Sequence, residues 1–267
     1  MSNPKFDFAA MPALTDFQAT ASWLAGLGWS EGAGGNMSVR QELPTGLATE
    51  TFTALPIAVP YLAGKAILLT GSGTRAREIG KNPVPGVGMY QIGADGRSYG
   101  WLAGNQTPSM ELPAHLAIHN VLEQVRPDDK AMLHTHPASV IALCHLDGFD
   151  NAKAITDTIL RLQSEARLHL PEGIGFVKHA LPGSLELGLQ SAEAVKLHHL
   201  VLWQYHGCLA TGATLAHATD LLEVFEKCVD VYWRLRMAGV EPDGISHAET
   251  ERTLQAFGQL ERYKSVF

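Results

Sequence analysis

The chain has 267 residues, 46% of them hydrophobic and 18% charged, and its formal net charge is −7. Acidic residues outnumber basic ones and no Lys/Arg block occurs, so we expect no nucleic-acid partner. The N-terminal segment MSNPKFDFAAM lacks a basic region followed by an apolar one, and no run approaches the roughly 18 apolar residues that span a bilayer. We therefore expect a cytoplasmic protein with no membrane partner, folded as a single domain over residues 1–267.

The first hundred residues predict one helix followed by strands. Apolar residues repeat at helical spacing over 16–27, with Asp16 as the cap. A glycine-rich loop at 31–35 leads into a short strand, and strands interrupted by prolines are predicted between 51 and 70. The stretch VGMYQIGADGRSYGWLAG predicts a hairpin with Asp95-Gly96 at its turn.

Helices and strands alternate in the rest of the chain. A helix is predicted over 107–123, with Thr107 or Ser109 as its cap. Further strands are predicted at 131–136, 173–179 and 199–205, and further helices at 152–165, 184–196, 214–239 and 248–261. This alternation indicates an α/β fold class, and the hairpin indicates a sheet that is not purely parallel.

Two histidines lie one residue apart in the apolar run AMLHTHPASVIAL. Residues i and i+2 of a strand share a face, so His134 and His136 can present two imidazoles to one point. A third candidate, His206, follows the apolar segment VLWQY, where a strand meets a loop. Three neutral imidazoles would leave an open coordination position on Zn²⁺ or a similar ion, as a catalytic metal site requires. Two buried core histidines remain the alternative interpretation of the isolated pair.

Other polar residues are candidates for the same chemistry. Glu111 lies near the start of the 107–123 helix and is followed by apolar residues, so it is a candidate general base or metal ligand, or only a favourable carboxylate at a helix N-terminus. Five other histidines compete for the metal: His115, His119, His145, His198 and His199. His115 and His119 lie at i,i+4 on the helix and could form a pair of their own.

Two glycine-rich segments, GAGGN and TGSG, are candidate anion-binding loops. Their backbone N–H groups, with the side chains of Asn36 and Ser72, would suit a phosphate or a carboxylate. Neither segment matches a dinucleotide fingerprint or a P-loop, and ordinary turns would also account for them.

Taken in order, the segments GGNMSVR, TGSG, SMELPAH, HTHP and YHG resemble the class II aldolase/adducin family over roughly residues 15 to 240. The resemblance implies a three-layer α/β/α domain around a mainly antiparallel sheet, assembled as a C4 homotetramer with active sites between subunits. It also implies that His134, His136 and His206 bind zinc or another divalent cation and that Glu111 is the catalytic base. The implied reaction is retro-aldol cleavage of a ketose 1-phosphate, with L-rhamnulose 1-phosphate giving dihydroxyacetone phosphate and L-lactaldehyde.

The resemblance extends to substrate contacts. Within LQSEARLHLPEGIG, Glu165 aligns with a second catalytic glutamate contributed by a neighbouring subunit, although a solvated carboxylate at a helix end is the alternative. The family's phosphate pocket corresponds here to Asn36, Ser72, Gly73 and Ser109. Two positions depart from it, because Met110 replaces an expected hydroxyl and Ala33 an expected amide.

These departures leave other substrates and activities open. The substrate is either a sugar phosphate or an unphosphorylated ketose. Within the family, epimerisation of a pentulose phosphate and dehydration are alternative reactions, and an adducin-like interaction module without the metal is a third alternative.

Overall fold

The computed structural model describes residues 6–264. The ends of the predicted 1–267 domain, including MSNPK of the N-terminal segment, lie outside the described residues. One nine-stranded sheet has the strand order β2-β5-β4-β3-β1-β6-β9-β8-β7. The strands are β1 Asn36–Gln41, β2 Thr53–Ala54, β3 Ala66–Thr70, β4 Val87–Ile92, β5 Ser98–Gly104, β6 Ala131–Thr135, β7 Gly175–Val177, β8 Leu200–Trp203 and β9 Gly207–Gly212. Every pair is antiparallel except β7–β8, so the predicted mainly antiparallel sheet is confirmed.

Helices cover both faces of the sheet. They are α1 Pro12–Leu27, α2 Ala76–Ile79, α3 Leu112–Val125, α4 Ala138–Leu143, α5 Ala152–Ile159, α6 Ser164–His169, α7 Leu185–Ala194, α8 Leu215–Met237, α9 His247–Ala256 and α10 Leu260–Lys264. Helices α1 and α8 pack on the face that carries Leu68, Leu133 and Leu202. Helices α3 and α7 pack on the opposite face, which carries Met132 and Val201. The alternation of strand side chains therefore produces the predicted three-layer α/β/α architecture.

Several predicted boundaries were wrong. Helix α1 begins at Pro12 rather than at Asp16, because proline is well suited to the first helical position. The predicted helix over 152–165 is two helices, α5 and α6. The chain turns between them where the Arg161 carbonyl accepts from the Ile245 N–H at 2.8 Å and the Arg161 side chain donates to the carbonyl of Asp243 at 2.7 Å. These contacts join distant segments, so local periodicity does not reveal them.

Other elements were misjudged around the functional half of the sheet. Neither Thr107 nor Ser109 is the cap of α3, because the helix begins after Glu111. Strands β7 and β8 are shorter than predicted, and the predicted helix over 248–261 is divided into α9 and α10. Helix α4 and strand β9 were missed.

Within residues 6–264 we find no helix that combines the length and the apolar character needed to cross a membrane.

Candidate active site

The candidate site lies where β6 ends beside the hairpin of β8 and β9. His134 lies within β6 and His136 directly follows it, while His206 lies in the short connection from β8 to β9. Strand β9 pairs with β6, with Leu209 opposite His134, so the hairpin places His206 next to the other two histidines. The preceding residue, Tyr205, has φ of 62°, a left-handed conformation that is uncommon for residues other than glycine.

The three imidazoles of His134, His136 and His206 converge. Their candidate ligand atoms all lie within 4.8 Å of one another, and the Nε2 atoms of His134 and His136 are 3.0 Å apart. Nitrogen ligands at 2.0–2.1 Å from a tetrahedral zinc ion would be roughly 3.3 Å apart, which falls within this range. In the described part of the chain, no other group of three His, Cys, Asp or Glu side chains has ligand atoms placed to hold a metal.

Neighbouring groups orient two of these imidazoles. His134 Nδ1 lies 2.9 Å from the Cys208 carbonyl oxygen, so Nδ1–H donates and the Nε2 lone pair faces the site. His136 Nδ1 lies 2.9 Å from Glu31 Oε1, a carboxylate–histidine contact that often supports metal ligands. The ring of Trp203 lies 4.2 Å from that of His134, centroid to centroid, and limits its movement.

Electrostatics favour the neutral, metal-binding form of the imidazoles. Burial lowers the pKa of His134 well below its ordinary value, and nearby His136 and His206 act in the same direction. Burial also lowers the pKa of His206 to about 4. Burial alone would raise the pKa of Glu31, but its hydrogen bond with His136 contributes to a net lowering. Because metal ligation requires unprotonated imidazole nitrogen, these shifts suit a cation site.

Glu111 is the buried carboxylate that lies beside both His134 and His206. It is the N-cap residue of α3 and only 6% exposed, and its Oε2 and Oε1 lie 3.7 Å from Nε2 of His134 and of His206, respectively. Asn36 Nδ2 donates a hydrogen bond of 2.8 Å to Glu111 Oε2. Burial raises the Glu111 pKa, which the bond from Asn36 partly opposes. A carboxyl group with a raised pKa is suited to proton transfer near neutral pH.

A cavity of about 380 Å³ opens onto these groups. Its lining includes all four predicted anion-binding residues, Asn36, Ser72, Gly73 and Ser109, together with Ala33, Met110 and Pro182. Among the described residues, this lining contains no Lys or Arg. A bound anion would therefore depend on hydroxyl, amide and backbone donors. Met110 is 71% exposed and presents a thioether, which has no hydrogen to donate.

Glycines allow the loop before β1 to lie against β6. A Cβ added at Gly35, where φ is +75°, would be 2.8 Å from the His134 carbonyl oxygen. A Cβ added at Gly34 would be 2.8 Å from His136 Nδ1. The glycines of GAGGN thus permit a close approach to the histidine strand, in addition to lining the cavity.

Other predicted candidates lie away from the cavity. Glu165 is exposed in the first turn of α6 and is not a lining residue, so its role in a neighbouring subunit stays a prediction. His115 and His119 both contact Ser38. His145 packs on the Tyr205 ring. His199 lies between Glu172 and Asp129, and His198 precedes it at the start of β8, away from the cavity.

Sequence reasoning missed Glu31, Trp203 and Pro182 as parts of this site. Glu31 stands 105 positions from His136, and no local pattern connects them. Trp203 was visible only as a member of an apolar strand. Its position beside His134 depends on the hairpin with the missed strand β9.

Comparison with known proteins identifies the family of this chain. The sequence profile described as the Class II Aldolase and Adducin N-terminal domain matches residues 15–233. The chain belongs to the class II aldolase/adducin family. Within this family it is similar to the rhamnulose-1-phosphate aldolase of Listeria welshimeri, at 32% identity over 87% of this chain and 85% of that protein. It is also 30% identical to the rhamnulose-1-phosphate aldolase of Enterococcus faecalis, over 92% and 91% of the two chains.

Solved structures from the family share the fold. A sugar-phosphate aldolase from Thermotoga maritima has a TM-score of 0.78 and 32% identity, covering 87% of this chain and 98% of that one. An L-fuculose 1-phosphate aldolase has a TM-score of 0.63 at 22% identity, covering 94% of this chain and 98% of that one. The second likeness supports the fold alone.

Proposed function

We propose that this protein is a metal-dependent aldolase that reversibly cleaves L-rhamnulose 1-phosphate to dihydroxyacetone phosphate and L-lactaldehyde. The main support is the convergence of His134, His136 and His206 with the buried carboxylate of Glu111 at one cavity. The relatives named rhamnulose-1-phosphate aldolase, which align over about nine-tenths of the chain, support this substrate.

The donor set fits a divalent cation of the zinc type. His134, His136 and His206 would hold it through nitrogen, the ligand atom that zinc shares with several other transition metals. Once bound, the cation would act as a Lewis acid that withdraws electron density from the substrate carbonyl. We propose zinc because three imidazoles with a further open position are a usual catalytic zinc arrangement.

Glu111 would act as the general base and acid. Its carboxylate would carry the proton that C3 of the three-carbon product gains when the C3–C4 bond of the ketose breaks, and would remove it in the reverse direction. The hydroxyl on C4 loses its proton when it becomes the aldehyde oxygen, and this second proton needs a separate carrier. We propose Glu165 of the partner subunit for that role, in a cytoplasmic homotetramer whose sites lie between subunits.

The anion end of the substrate would lie against Ser72, Gly73 and Ser109, with Asn36 between this end and Glu111. Met110 and Ala33 also line the cavity there. These two side chains favour one specific alternative, an aldolase that accepts an unphosphorylated ketose. A phosphate that lacks the hydrogen bond from the hydroxyl expected in place of Met110 would typically bind about 1.5–3 kcal/mol less tightly.

A direct assay would measure metal content together with cleavage. We expect about one zinc ion per chain, the stoichiometry of a single three-histidine site, and release of dihydroxyacetone phosphate from L-rhamnulose 1-phosphate. L-Rhamnulose assayed in parallel would test the alternative. Faster cleavage of the unphosphorylated sugar would overturn the proposed substrate while supporting an aldolase, and a metal-free protein inactive on both sugars would contradict the proposed function.

A further inference from the structure

A buried row of polar side chains runs from Glu111 into the interface between β1 and α3. Asn36 and Ser38 lie two positions apart on β1, and His115 and His119 lie four apart on α3, so each pair shares one face of its element. Ser38, His115 and His119 are completely buried. None of the three reaches the cavity lining, so substrate contact does not explain their presence.

Hydrogen-bond distances connect the row into one chain. Ser38 Oγ lies 2.6 Å from His115 Nδ1 and 2.8 Å from His119 Nε2. His115 Nε2 lies 2.5 Å from Asn36 Oδ1. Asn36 Nδ2 lies 2.8 Å from Glu111 Oε2. Four consecutive bonds therefore join the proposed base to the interior.

The chemistry of the groups fixes the direction of the chain. Burial lowers the pKa of His115 to about 3 and that of His119 well below its ordinary value, so each imidazole is neutral and carries one N–H. Glu111 must be a carboxylate to accept a proton, so the Asn36 amide donates to it. Asn36 Oδ1 then accepts from His115 Nε2–H.

The remaining bonds follow from that assignment. His115 Nδ1 has no hydrogen and accepts from Ser38 Oγ–H, and Ser38 Oγ in turn accepts from His119 Nε2–H. The row of bonds then ends at His119 Nδ1, which is buried and has no hydrogen-bond partner among residues 6–264. In this direction Nδ1 is an acceptor. The reverse direction would leave a buried N–H donor unpaired there, and such orphaned donors are the rarer case in proteins.

We propose that His115 is a positioning residue for the base Glu111, acting through the Asn36 amide, and that Ser38 and His119 hold His115 in the tautomer this requires. The inference rests on the proposed function, since it concerns the base of that reaction. Every bond points toward Glu111, and aligned hydrogen bonds polarise one another. Without the His115 donor, the Asn36 amide is free to turn over and present its oxygen to the carboxylate.

Substitution of His115 tests the effect on catalysis. We expect His115→Phe, which keeps a ring of similar size, to lower kcat about 10- to 100-fold, as for other lost outer-shell partners, with KM and metal content nearly unchanged. His115→Gln should recover most of kcat, because its amide N–H can take the place of Nε2–H. His198→Phe is the matched control, since burial also lowers the pKa of His198 and this residue lies away from the cavity.

A second measurement does not depend on activity. Proton–nitrogen correlation spectra of protein labelled with ¹⁵N-histidine report which ring nitrogen carries the proton, and the His115→Phe spectrum assigns the signal. We expect the Nε2–H tautomer for both His115 and His119. An Nδ1–H tautomer at His115, or equal kcat losses in His115→Phe and His198→Phe, would overturn the proposal. Failure of the wild-type protein to cleave any ketose would instead contradict the proposed function and would leave the predicted tautomers standing.

Discussion

The two ends of strand β6 both place histidine beside carboxylate, with opposite results. At the end of the strand, His134, His136 and His206 lie beside the carboxylates of Glu31 and Glu111 and face a cavity. Before its start lies a second group, here called the Glu172 cluster, formed by Arg126, Asp129, Glu172, His199 and Arg262. There His199 lies 2.6 Å from Glu172 and 3.4 Å from Asp129, and Arg126 and Arg262 donate to the same carboxylates.

The difference lies in how completely each group satisfies itself. In the Glu172 cluster every carboxylate has a cationic or imidazole partner, so the cluster joins α10 and the α3 end to the sheet and leaves little capacity for a ligand. In the cavity, imidazole lone pairs converge without an internal partner for all of them. A group of His and Glu side chains is therefore a candidate binding site when some of its ligand atoms lack internal partners, and a structural cluster when all of them are paired.

The largest effect is expected from removing a proposed metal ligand. His136→Ala should abolish metal binding and turnover, because two imidazoles hold a divalent ion far less tightly than three. Elemental analysis and the cleavage assay would measure both. His199→Ala is the matched control in the Glu172 cluster, and it should keep the metal. Metal retained by His136→Ala would contradict the assignment of the three histidines.

The next effect separates the base from the metal site. Glu111→Gln should keep the bound metal but lower kcat by about 10²- to 10⁴-fold, the usual contribution of a general base. Exchange of solvent deuterium into dihydroxyacetone phosphate would follow the proton transfer directly. If the variant exchanged deuterium at the wild-type rate, another group would have to be the base.

A substitution in the Glu172 cluster should affect stability and leave catalysis unchanged. Glu172→Gln leaves the partners of a buried carboxylate uncompensated, and we expect it to lower the free energy of unfolding by about 3 kcal/mol. Urea denaturation would measure this loss, and kcat per folded molecule should not change. A drop in kcat with unchanged stability would mean that the two ends of β6 are not separate in role.

The smallest effect expected from a single residue is on the pH dependence of stability. His115 and His206 have lowered pKa values, about 3 and about 4, whereas in the unfolded chain histidine titrates near 6.5. Their neutral forms therefore stabilise the metal-free protein fully above pH 6.5. This stability is lost as pH falls toward the folded values, at about 1.4 kcal/mol per pH unit for each histidine.

Denaturant titrations of metal-free protein between pH 7 and 5 would measure that slope. His115→Phe should reduce this slope by the contribution of one histidine, about 1.4 kcal/mol per pH unit. An unchanged slope would contradict the lowered pKa of His115. The contribution of the Glu172 cluster to stability should be lost at lower pH. Burial opposes the shift, but the bond and charge of His199 together with Arg262 lower the Glu172 pKa, so its contribution is lost only below about pH 4.3.

Local patterns in the sequence predicted the parts of the site that lie close together along the chain. His134 and His136 follow from the two-residue period of a strand, and Glu111 was a candidate from its place near a helix start. The three-layer fold and the role of Glu111 as the base follow from the family resemblance. The supporting contacts could not be predicted in this way. Asn36 and His115 are 79 positions apart, and Glu31 and His136 are 105 apart, so only the completed sheet brings them together.

Strand β9 was missed for a related reason. Its sequence, GCLATG, is short and contains glycine at both ends, features that locally indicate a turn. Its place between β6 and β8 supplies the ladder partners that make it a strand. The same tertiary contacts orient His206 and Trp203.

The strand order also has a consequence for how the protein folds. Asn36, His134 and Leu209 lie on adjacent central strands, yet they come from the beginning, middle and later part of the chain. Such non-local pairings form late, because a large loop must close before each one stabilises the chain. In a nascent chain released before β9, His206 would lack the hairpin that places it beside His134 and His136. Metal binding should therefore follow pairing of the central strands, and it should stabilise only chains in which these strands have formed.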